Sequence, residues 1–301
     1  MLDTAYVAGQ PVPSTMLAPL NEVANWRSAR AELPQLLARD GYVFLRGALD
    51  LDQVLHSRLD VLARLAQVGE IAEPIEAAVS TGSSQRSAMH PDLDAFWRSV
   101  CESPRIRSVT HGDRLAEISA AILGKPTLPF DFLWLRTMLA GRATPLHFDH
   151  VYMNRGSWNV LTAWVPLGDV LIEAGPLLVV EGSNRYEDVI AHYRGVDVDL
   201  DGLPGSFPED AIAFARQRGT RLLTADFRIG DVILFDMFTL HGSCDNRMGG
   251  GQVRLSCDVR WQPANEARDD RWFGSPPMGH GNLSYGGLNG AKPLGADYIK
   301  R

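Results

Sequence analysis

The sequence predicts a mainly β fold with flanking helices, in which an antiparallel sandwich or jelly-roll core follows a helical N-terminal third. Up to about residue 128, apolar residues recur at helical spacing in several segments. From Pro129 onward the chain changes to short runs rich in β-branched, aromatic and leucine residues, most of them separated by Gly, Pro, Asn or Asp. Because long helices do not alternate with these runs, a sandwich or jelly roll is favoured over a βαβ fold.

The predicted helical part covers about residues 20–128. A helix is expected after Pro34, a favourable first helical position, and it should end at Asp40-Gly41. A short buried strand, GYVFLRG (41–47), should follow. Further helices are predicted within DQVLHSRLDVLARL, PDLDAFWRSV and DRLAEISAAILG, the last of which stops at Gly124 and Pro126.

The predicted β core covers about residues 129–262. Its expected strands are DFLWLRTMLA, LHFDHVY, WNVLTAWVPL, GPLLVV, TRLLTA, DVILFDM and QVRLSCDVRW. Residues 184–219 interrupt these strands, and an insertion of this length within a β core is often a lid over a site. Residues 263–301 are rich in Gly and Pro and are expected to form an irregular tail. The whole chain, 1–301, is interpreted as one domain.

Composition excludes several classes of protein. Of the 301 residues, 45% are hydrophobic and 22% are charged, which is typical of a soluble globular protein. The formal net charge is −7 and the arginines are scattered, which argues against a nucleic-acid partner. No segment approaches the roughly 20 apolar residues of a membrane span. Three cysteines without a CxxC motif, and an N-terminus without a signal-peptide pattern, favour a cytoplasmic location.

The segment TPLHFDH (144–150) contains a candidate metal site. If it forms a strand, His147 and Asp149 project from one face, while Phe148 and His150 point away. An imidazole and a carboxylate on one face can bind one metal ion, although an HxD pair alone is common by chance.

His241, in GDVILFDMFTLHGS, is a candidate third ligand. Two histidines and one carboxylate leave three coordination positions open on a divalent iron. Considered alone, His241 is better explained as a histidine that caps a carbonyl at a strand end.

Arg254 lies in the predicted strand QVRLSCDVRW, where an arginine is costly to bury without a partner. Its planar guanidinium suits a bidentate bond to a carboxylate, including one carried by a ligand. An edge-strand position, or an ion pair with Asp258, would also explain it.

The order of these motifs resembles the phytanoyl-CoA dioxygenase family. The motifs are HxD, then GPLxVxxGSN, then GDVxLFxxxxxHGS, then an arginine in a final strand, and DGYVFLRG resembles the family's N-terminal segment. The similarity covers roughly residues 36–262. It implies a double-stranded β-helix (jelly-roll) core, Fe(II) as the metal, 2-oxoglutarate and O₂ as co-substrates, and a small-molecule substrate.

The resemblance also implies roles for individual residues. His147, Asp149 and His241 match the iron ligands, and Arg254 matches the arginine that binds the distal carboxylate of 2-oxoglutarate. Four further residues match positions near the co-substrate: Ser243, Trp164, Arg136 and Thr137. Because Asp149 is present, hydroxylation is favoured over halogenation, whose enzymes lack this carboxylate. Desaturation, cyclisation, epimerisation and a non-catalytic metal-binding role remain alternatives, and the sequence does not indicate an oligomeric state.

Overall fold

The strands begin early in the chain and continue to residue 263. The computed structural model describes residues 3–287 and 293–294. The strands within them are β1 (Tyr6–Val7), β2 (Gln10–Pro11), β3 (Leu17–Pro19), β4 (Glu22–Val23), β5 (Tyr42–Leu45), β6 (Thr127–Met138), β7 (Leu161–Pro166), β8 (Leu177–Val180), β9 (Leu222–Thr224), β10 (Val232–Asp236), β11 (His241–Ser243) and β12 (Arg254–Pro263).

Six of the helices lie between β4 and β6. Four of them correspond to helices that the apolar spacing predicts, and two short ones, Arg86–Met89 and Pro104–Thr110, were not predicted. The helices of the described residues are α1 (Leu33–Asp40), α2 (Leu51–Gln67), α3 (Arg86–Met89), α4 (Leu93–Cys101), α5 (Pro104–Thr110), α6 (Asp113–Leu123), α7 (Glu187–Tyr193), α8 (Val198–Asp201) and α9 (Ala211–Arg218). Side-chain caps define several starts: Asp50 accepts a hydrogen bond from the backbone N–H of Gln53 at the start of α2.

Two sheets form the β core. The larger has the order β4-β5-β10-β7-β12-β6, and the smaller has the order β11-β8-β9-β3. Pairing within both sheets is antiparallel except for β4 with β5 and β3 with β9. Side chains from the two sheets share one buried cluster, which includes Phe44, Trp164 and Phe235 from the larger sheet and Val179 and Leu223 from the smaller. The sheets therefore pack face to face.

Helices cover the outer faces of both sheets. The N-terminal helices pack on the larger sheet through a cluster that includes Trp97, Val61 and Leu255. The 184–219 insertion packs α7 and α9 against the smaller sheet, where Ile190 and Phe214 join Leu178 in a second cluster. The insertion thus mainly covers the smaller sheet, and only the part that does not pack on the sheet could act as the predicted lid.

The structure of the first 23 residues differs from the prediction that the helical part begins at about residue 20. Helices were expected from about residue 20, but β3 and β4 lie at residues 17–23 and add a strand to each sheet. Their pairing partners lie far along the chain for β3 and across α1 for β4, so no local pattern indicated them. No helix among residues 3–287 is both long enough and apolar enough to cross a membrane.

Replacing Gly41 with alanine is expected to destabilise the fold much more than the same change at Gly124. Both glycines end a helix with positive φ, 80° for Gly41 and 67° for Gly124, so alanine at either costs about 1–2 kcal/mol of backbone strain. A Cβ at Gly41 would also overlap the Thr239 hydroxyl and lie 2.8 Å from the Cβ of Asn184, whereas at Gly124 it meets nothing within 4 Å. Urea unfolding should show Gly41→Ala to be less stable than Gly124→Ala by about 1–3 kcal/mol. Equal losses in the two variants would contradict this packing argument.

Candidate metal centre and adjoining cavities

Three predicted ligand side chains meet in the interior between the sheets. His147, Asp149 and His241 are all buried, and one ligand atom from each lies within 4.8 Å of the others. Oδ1 of Asp149 is 3.6 Å from Nε2 of His147 and 4.0 Å from Nε2 of His241. This spacing can accommodate one metal ion with the three side chains on one side of it.

The backbone fixes the two histidines relative to each other. His147 and His241 form an isolated antiparallel bridge, with N···O distances of 2.9 and 3.2 Å in the two directions. Gly242 permits this close approach, because a Cβ at that position would lie 2.7 Å from the carbonyl oxygen of Thr144. The close backbone contact therefore explains why a glycine stands at this position of HGS.

Asp149 reaches the cluster in a way that strand alternation did not predict. LHFDHVY was expected to be a strand, but Asp149 begins a 3₁₀ turn, Asp149–Tyr152, and His147 makes only isolated bridges. The prediction that His150 points away is confirmed. Its ring contacts Phe238 and Trp158, and its Nε2 lies 2.7 Å from the carbonyl oxygen of Arg194.

Hydrogen bonds set the tautomer of both histidines. Nδ1 of His147 lies 2.9 Å from the carbonyl oxygen of Pro145, and Nδ1 of His241 lies 2.9 Å from that of Thr239. A carbonyl only accepts, so each Nδ1 carries the proton and each Nε2 keeps its lone pair directed at the cluster. Burial, together with the neighbouring His241, lowers the pKa of His147 to about 3, and burial also lowers the pKa of His241. Both imidazoles are neutral, as metal ligands must be.

Asp149 is held as an anion by groups that the sequence analysis missed. Nη2 of Arg260 lies 3.2 Å from each carboxylate oxygen, and the Thr162 hydroxyl donates to Oδ2. Burial raises the pKa of Asp149, but Arg260, the two histidines and Thr162 outweigh it, so that the pKa falls below its ordinary value. Oδ1 faces the histidines while Oδ2 is held by Thr162, an arrangement that suits a carboxylate ligand binding through one oxygen.

A small cavity beside the histidines contains most of the predicted co-substrate residues. Its lining includes Arg254, Ser243, Trp164 and Arg136 together with both histidines. Thr137 does not reach it: one residue along β6 from Arg136, its side chain faces the opposite side of the strand and lines neither this cavity nor the larger one. The expectation for Thr137 therefore does not match the structure.

Arg254 is 3% exposed, and its guanidinium is incompletely satisfied. Nη1 donates to the carbonyl oxygen of Gly175 at 3.0 Å, Nη2 contacts Sδ of Met138, and the cation lies 5.8 Å from the Trp164 ring centroid. Within the described part of the chain, Nε of Arg254 has no hydrogen-bond partner. Burial, with the nearby Arg136 cation, lowers the pKa of Arg254 to about 10. The alternative ion pair with Asp258 is not formed, because Asp258 binds Nε of Arg136 at 2.6 Å.

A larger cavity of about 310 Å³ opens on the other side of His147 and Asp149. Phe132, Trp134, Tyr152 and Met153 are among its apolar walls, and Arg136 lines both this cavity and the smaller one. Its remaining wall comes from the insertion, through Ser206, and from the C-terminal tail, through residues that include His280 and Ser284. The tail was predicted only as irregular surface structure, so its part in the cavity is new.

One pattern in the sequence would have indicated Arg260. On β12, alternate residues share a face, and those on the inner face are polar throughout: Arg254, Ser256, Asp258, Arg260 and Gln262. A strand that buries polar groups at every second position requires partners for them, which is typical of a functional site. Of these five residues of β12, the family resemblance had pointed only to Arg254.

Comparison with known proteins places the chain in a family. A family model described as Phytanoyl-CoA dioxygenase (PhyH) matches residues 37–253, more than two thirds of the sequence. The chain belongs to the phytanoyl-CoA dioxygenase family. With its metal-ligand cluster, this member is an enzyme, an iron- and 2-oxoglutarate-dependent oxygenase, as the motif order predicted.

Two sequence relatives of this PhyH member carry the same description. It is 28% identical over 259 residues to the 1-deoxypentalenic acid 11-beta-hydroxylase of Streptomyces exfoliatus, covering 79% of this chain and 83% of the relative. The enzyme of that description from Streptomyces arenae is 26% identical over 258 residues, with the same coverage.

Solved structures establish the likeness of the fold. The carbocyclase SnoK from nogalamycin biosynthesis gives a TM-score of 0.56 at 20% identity, covering 79% of this chain and 85% of SnoK. The epimerase SnoN gives 0.52 at 22% identity, covering 80% and 86%. EctD from S. alaskensis, solved with 2-oxoglutarate and 5-hydroxyectoine, gives 0.53 at 19% identity and covers 97% of this chain and 94% of EctD. This PhyH chain thus shares a mixed fold of helices and sheets with 2-oxoglutarate oxygenases.

Proposed function

We propose that this enzyme hydroxylates a C–H bond of a small molecule, with iron held by His147, Asp149 and His241. The observation that carries the proposal is the convergence of two neutral Nε2 atoms and one anionic carboxylate oxygen beside an apolar cavity. These donor types suit Fe(II), and both cavities adjoin the residues that would hold it. The two Streptomyces relatives are hydroxylases, which supports the same reaction type.

In this proposal the distal carboxylate of 2-oxoglutarate enters the small cavity, whose volume of about 20 Å³ admits only part of the molecule. Arg254 binds its distal carboxylate, which would satisfy the unpartnered Nε, while Ser243 and Trp164 form the adjoining walls. When bound, iron, 2-oxoglutarate and O₂ supply the oxidising chemistry that cleaves a C–H bond. The side chains of the protein position the ligands, hold the substrate and exclude water from the site.

The insertion and the tail together are proposed to close the large cavity. Asp199, on α8 of the insertion, binds Nη1 of Arg271 at 2.6 Å and lies 3.3 Å from Nδ1 of His280. Ser206 then reaches the cavity wall and forms a bridge with His147. The lid expected at 184–219 is therefore narrowed to the stretch near 197–206, which acts with the tail.

The core architecture and the cellular location complete the proposal. The face-to-face sheets are interpreted as the double-stranded β-helix core of a single domain, because their antiparallel strands enclose the metal cluster. A cytoplasmic location is proposed from the three cysteines, which are unpaired and buried.

Product analysis under oxygen-18 gas tests the reaction type once a substrate is found. Hydroxylation should place one labelled oxygen atom in the product and one in succinate, with one succinate formed per product. An unlabelled product that has lost two hydrogens, or a stereoisomer of the substrate, would instead indicate desaturation, cyclisation or epimerisation.

Replacing Arg260 with methionine is expected to weaken iron binding about 10–100-fold, because the loss of a side chain that hydrogen-bonds to a metal ligand typically lowers metal affinity by that factor. Arg260 is 2% exposed, and its loss leaves Asp149 with Thr162 as its remaining donor. Anaerobic titration with Fe(II), or with Co(II) as a spectroscopic probe, measures the change. Arg260→Lys should recover part of the affinity, since it retains the charge. Unchanged metal affinity in Arg260→Met would show that Thr162 alone positions the carboxylate.

A further inference from the structure

Arg136 occupies the boundary between the two cavities. Its Nε donates to Oδ2 of Asp258 at 2.6 Å, which fixes the guanidinium plane on one edge. Among the residues that the structure describes, neither Nη1 nor Nη2 of Arg136 has a hydrogen-bond partner, and the side chain retains 17% exposure toward cavity space. The free edge of a guanidinium presents two parallel N–H groups, which is the donor geometry that a carboxylate accepts.

Apart from Arg136, Arg260 and the metal ligands, the described side chains that line the large cavity are neutral. Phe132 and Trp134 lie with ring centroids 4.4 Å apart, and Phe132 stacks on Tyr285 at 4.7 Å. Tyr152 and His280 contribute neutral polar groups, because burial raises the pKa of Tyr152 to about 12 and lowers that of His280. A ligand that fits this cavity therefore presents a body that meets aromatic and neutral polar side chains, with recognition of charge concentrated at one end.

The charges that line the two cavities do not balance. Among the described residues that line them, the cations are Arg136, Arg254 and Arg260 and the anions are Asp149 and Asp258, so one positive charge is in excess. Iron(II) and the 2-oxoglutarate dianion cancel each other and leave that excess unchanged. An uncompensated charge in a buried site is costly, and a ligand that bears one negative charge would remove the cost.

We propose that the substrate is an apolar small molecule bearing one carboxylate, and that Nη1 and Nη2 of Arg136 bind that carboxylate. This inference rests on the proposed function, because the cavity is the substrate cavity only if the cluster binds iron. It reassigns Arg136 from the co-substrate, where the family resemblance had placed it, to the substrate. Arg254 remains the arginine for 2-oxoglutarate, since its unpartnered Nε and its Trp164 neighbour belong to the small cavity alone.

Matched pairs of probes test the proposal without knowledge of the natural substrate. Adamantane-1-carboxylate and adamantane-1-carboxamide share an apolar body and differ in charge, and calorimetry can measure their binding to the anaerobic Fe(II)–2-oxoglutarate enzyme. The acid is expected to bind at least about tenfold more tightly, since a charge-assisted bond contributes about 1.5–3 kcal/mol. In Arg136→Gln this preference should fall below about twofold, whereas the affinity for 2-oxoglutarate should change less than about threefold.

A second variant separates recognition from folding. Because Arg136→Gln leaves Asp258 with a weaker partner, the pair Arg136→Gln/Asp258→Asn removes both charges of that ion pair and keeps the wild-type excess of one positive charge. It should fold normally while still lacking the acid preference, since that preference requires the guanidinium of Arg136. Wild-type enzyme that binds acids no more tightly than amides, including one that binds neither probe, would overturn the proposal. So would an acid preference that survives in both variants.

The remaining outcomes distinguish the two assignments of Arg136. A loss of 2-oxoglutarate binding in Arg136→Gln by more than about tenfold would return this arginine to the co-substrate and refute its role in substrate binding. Failure of the proposed function is recognised separately, in the wild type, by the absence of any absorbance band with Fe(II) and 2-oxoglutarate.

Discussion

His241→Ala is expected to abolish the visible absorbance band that forms when Fe(II) and 2-oxoglutarate are added to the wild-type enzyme without oxygen. The variant retains His147 and Asp149, but two protein ligands hold iron far less tightly than three. Loss of a side chain that only hydrogen-bonds to a metal ligand weakens metal binding about 10–100-fold. Loss of a direct ligand should therefore lower the affinity for iron at least about 100-fold. Turnover should fall below detection, because the co-substrate chelates only iron that is bound.

His150→Gln is the matched control for that experiment. His150 belongs to the same HFDH segment and is fully buried, yet its ring lies against Phe238 and its Nε2 points to the carbonyl oxygen of Arg194. Glutamine can keep a donor toward that carbonyl, so the band should form with nearly wild-type iron affinity. A band that persists in His241→Ala, or one that is lost equally in both variants, would contradict the assigned ligand set.

The parts of this structure that were predictable from sequence are those with a local cause. The end of α1 follows from Gly41, and β12 follows from an alternating pattern that continues through Trp261. The ligands themselves were found because the family motifs are short and ordered. His241 lies five residues beyond the end of β10 (Val232–Asp236), within the same short motif.

The parts that were not predictable depend on contacts between distant segments. Arg260 is a ligand-positioning candidate only because β12 pairs with β7, which brings Thr162 opposite it and places both beside Asp149. Asp199 meets Arg271 across 72 positions of sequence, with no periodic signal at either end. The 3₁₀ turn at Asp149 also depends on distant segments, because the chain there lines the large cavity instead of pairing with a neighbouring strand.

Arg254→Met is expected to weaken 2-oxoglutarate binding by about 30–3000-fold while leaving iron binding nearly unchanged. Truncating one partner of a buried, hydrogen-bonded charge pair costs about 2–5 kcal/mol, and each 1.4 kcal/mol is a factor of ten. Arg254 is separated from Asp149 by the other arginines of the inner face, so the metal ligands keep their own partners. Anaerobic titration of the band with 2-oxoglutarate measures the affinity, and Fe(II) titration without the co-substrate measures the metal.

Thermal unfolding of the same variant distinguishes a ligand-binding arginine from a structural one. Without ligand, Arg254 is buried with an unpartnered Nε, and burial lowers its pKa to about 10, which means that the folded protein bears a cost for keeping it charged. Methionine removes this cost and has a flexible apolar chain that suits the space beside Trp164 and Met138. The apo variant should therefore unfold at the wild-type temperature or above, whereas the stabilisation that 2-oxoglutarate gives to the wild-type iron enzyme should be lost. A large destabilisation of the apo variant, with 2-oxoglutarate affinity retained, would instead make Arg254 a structural residue that supports Gly175.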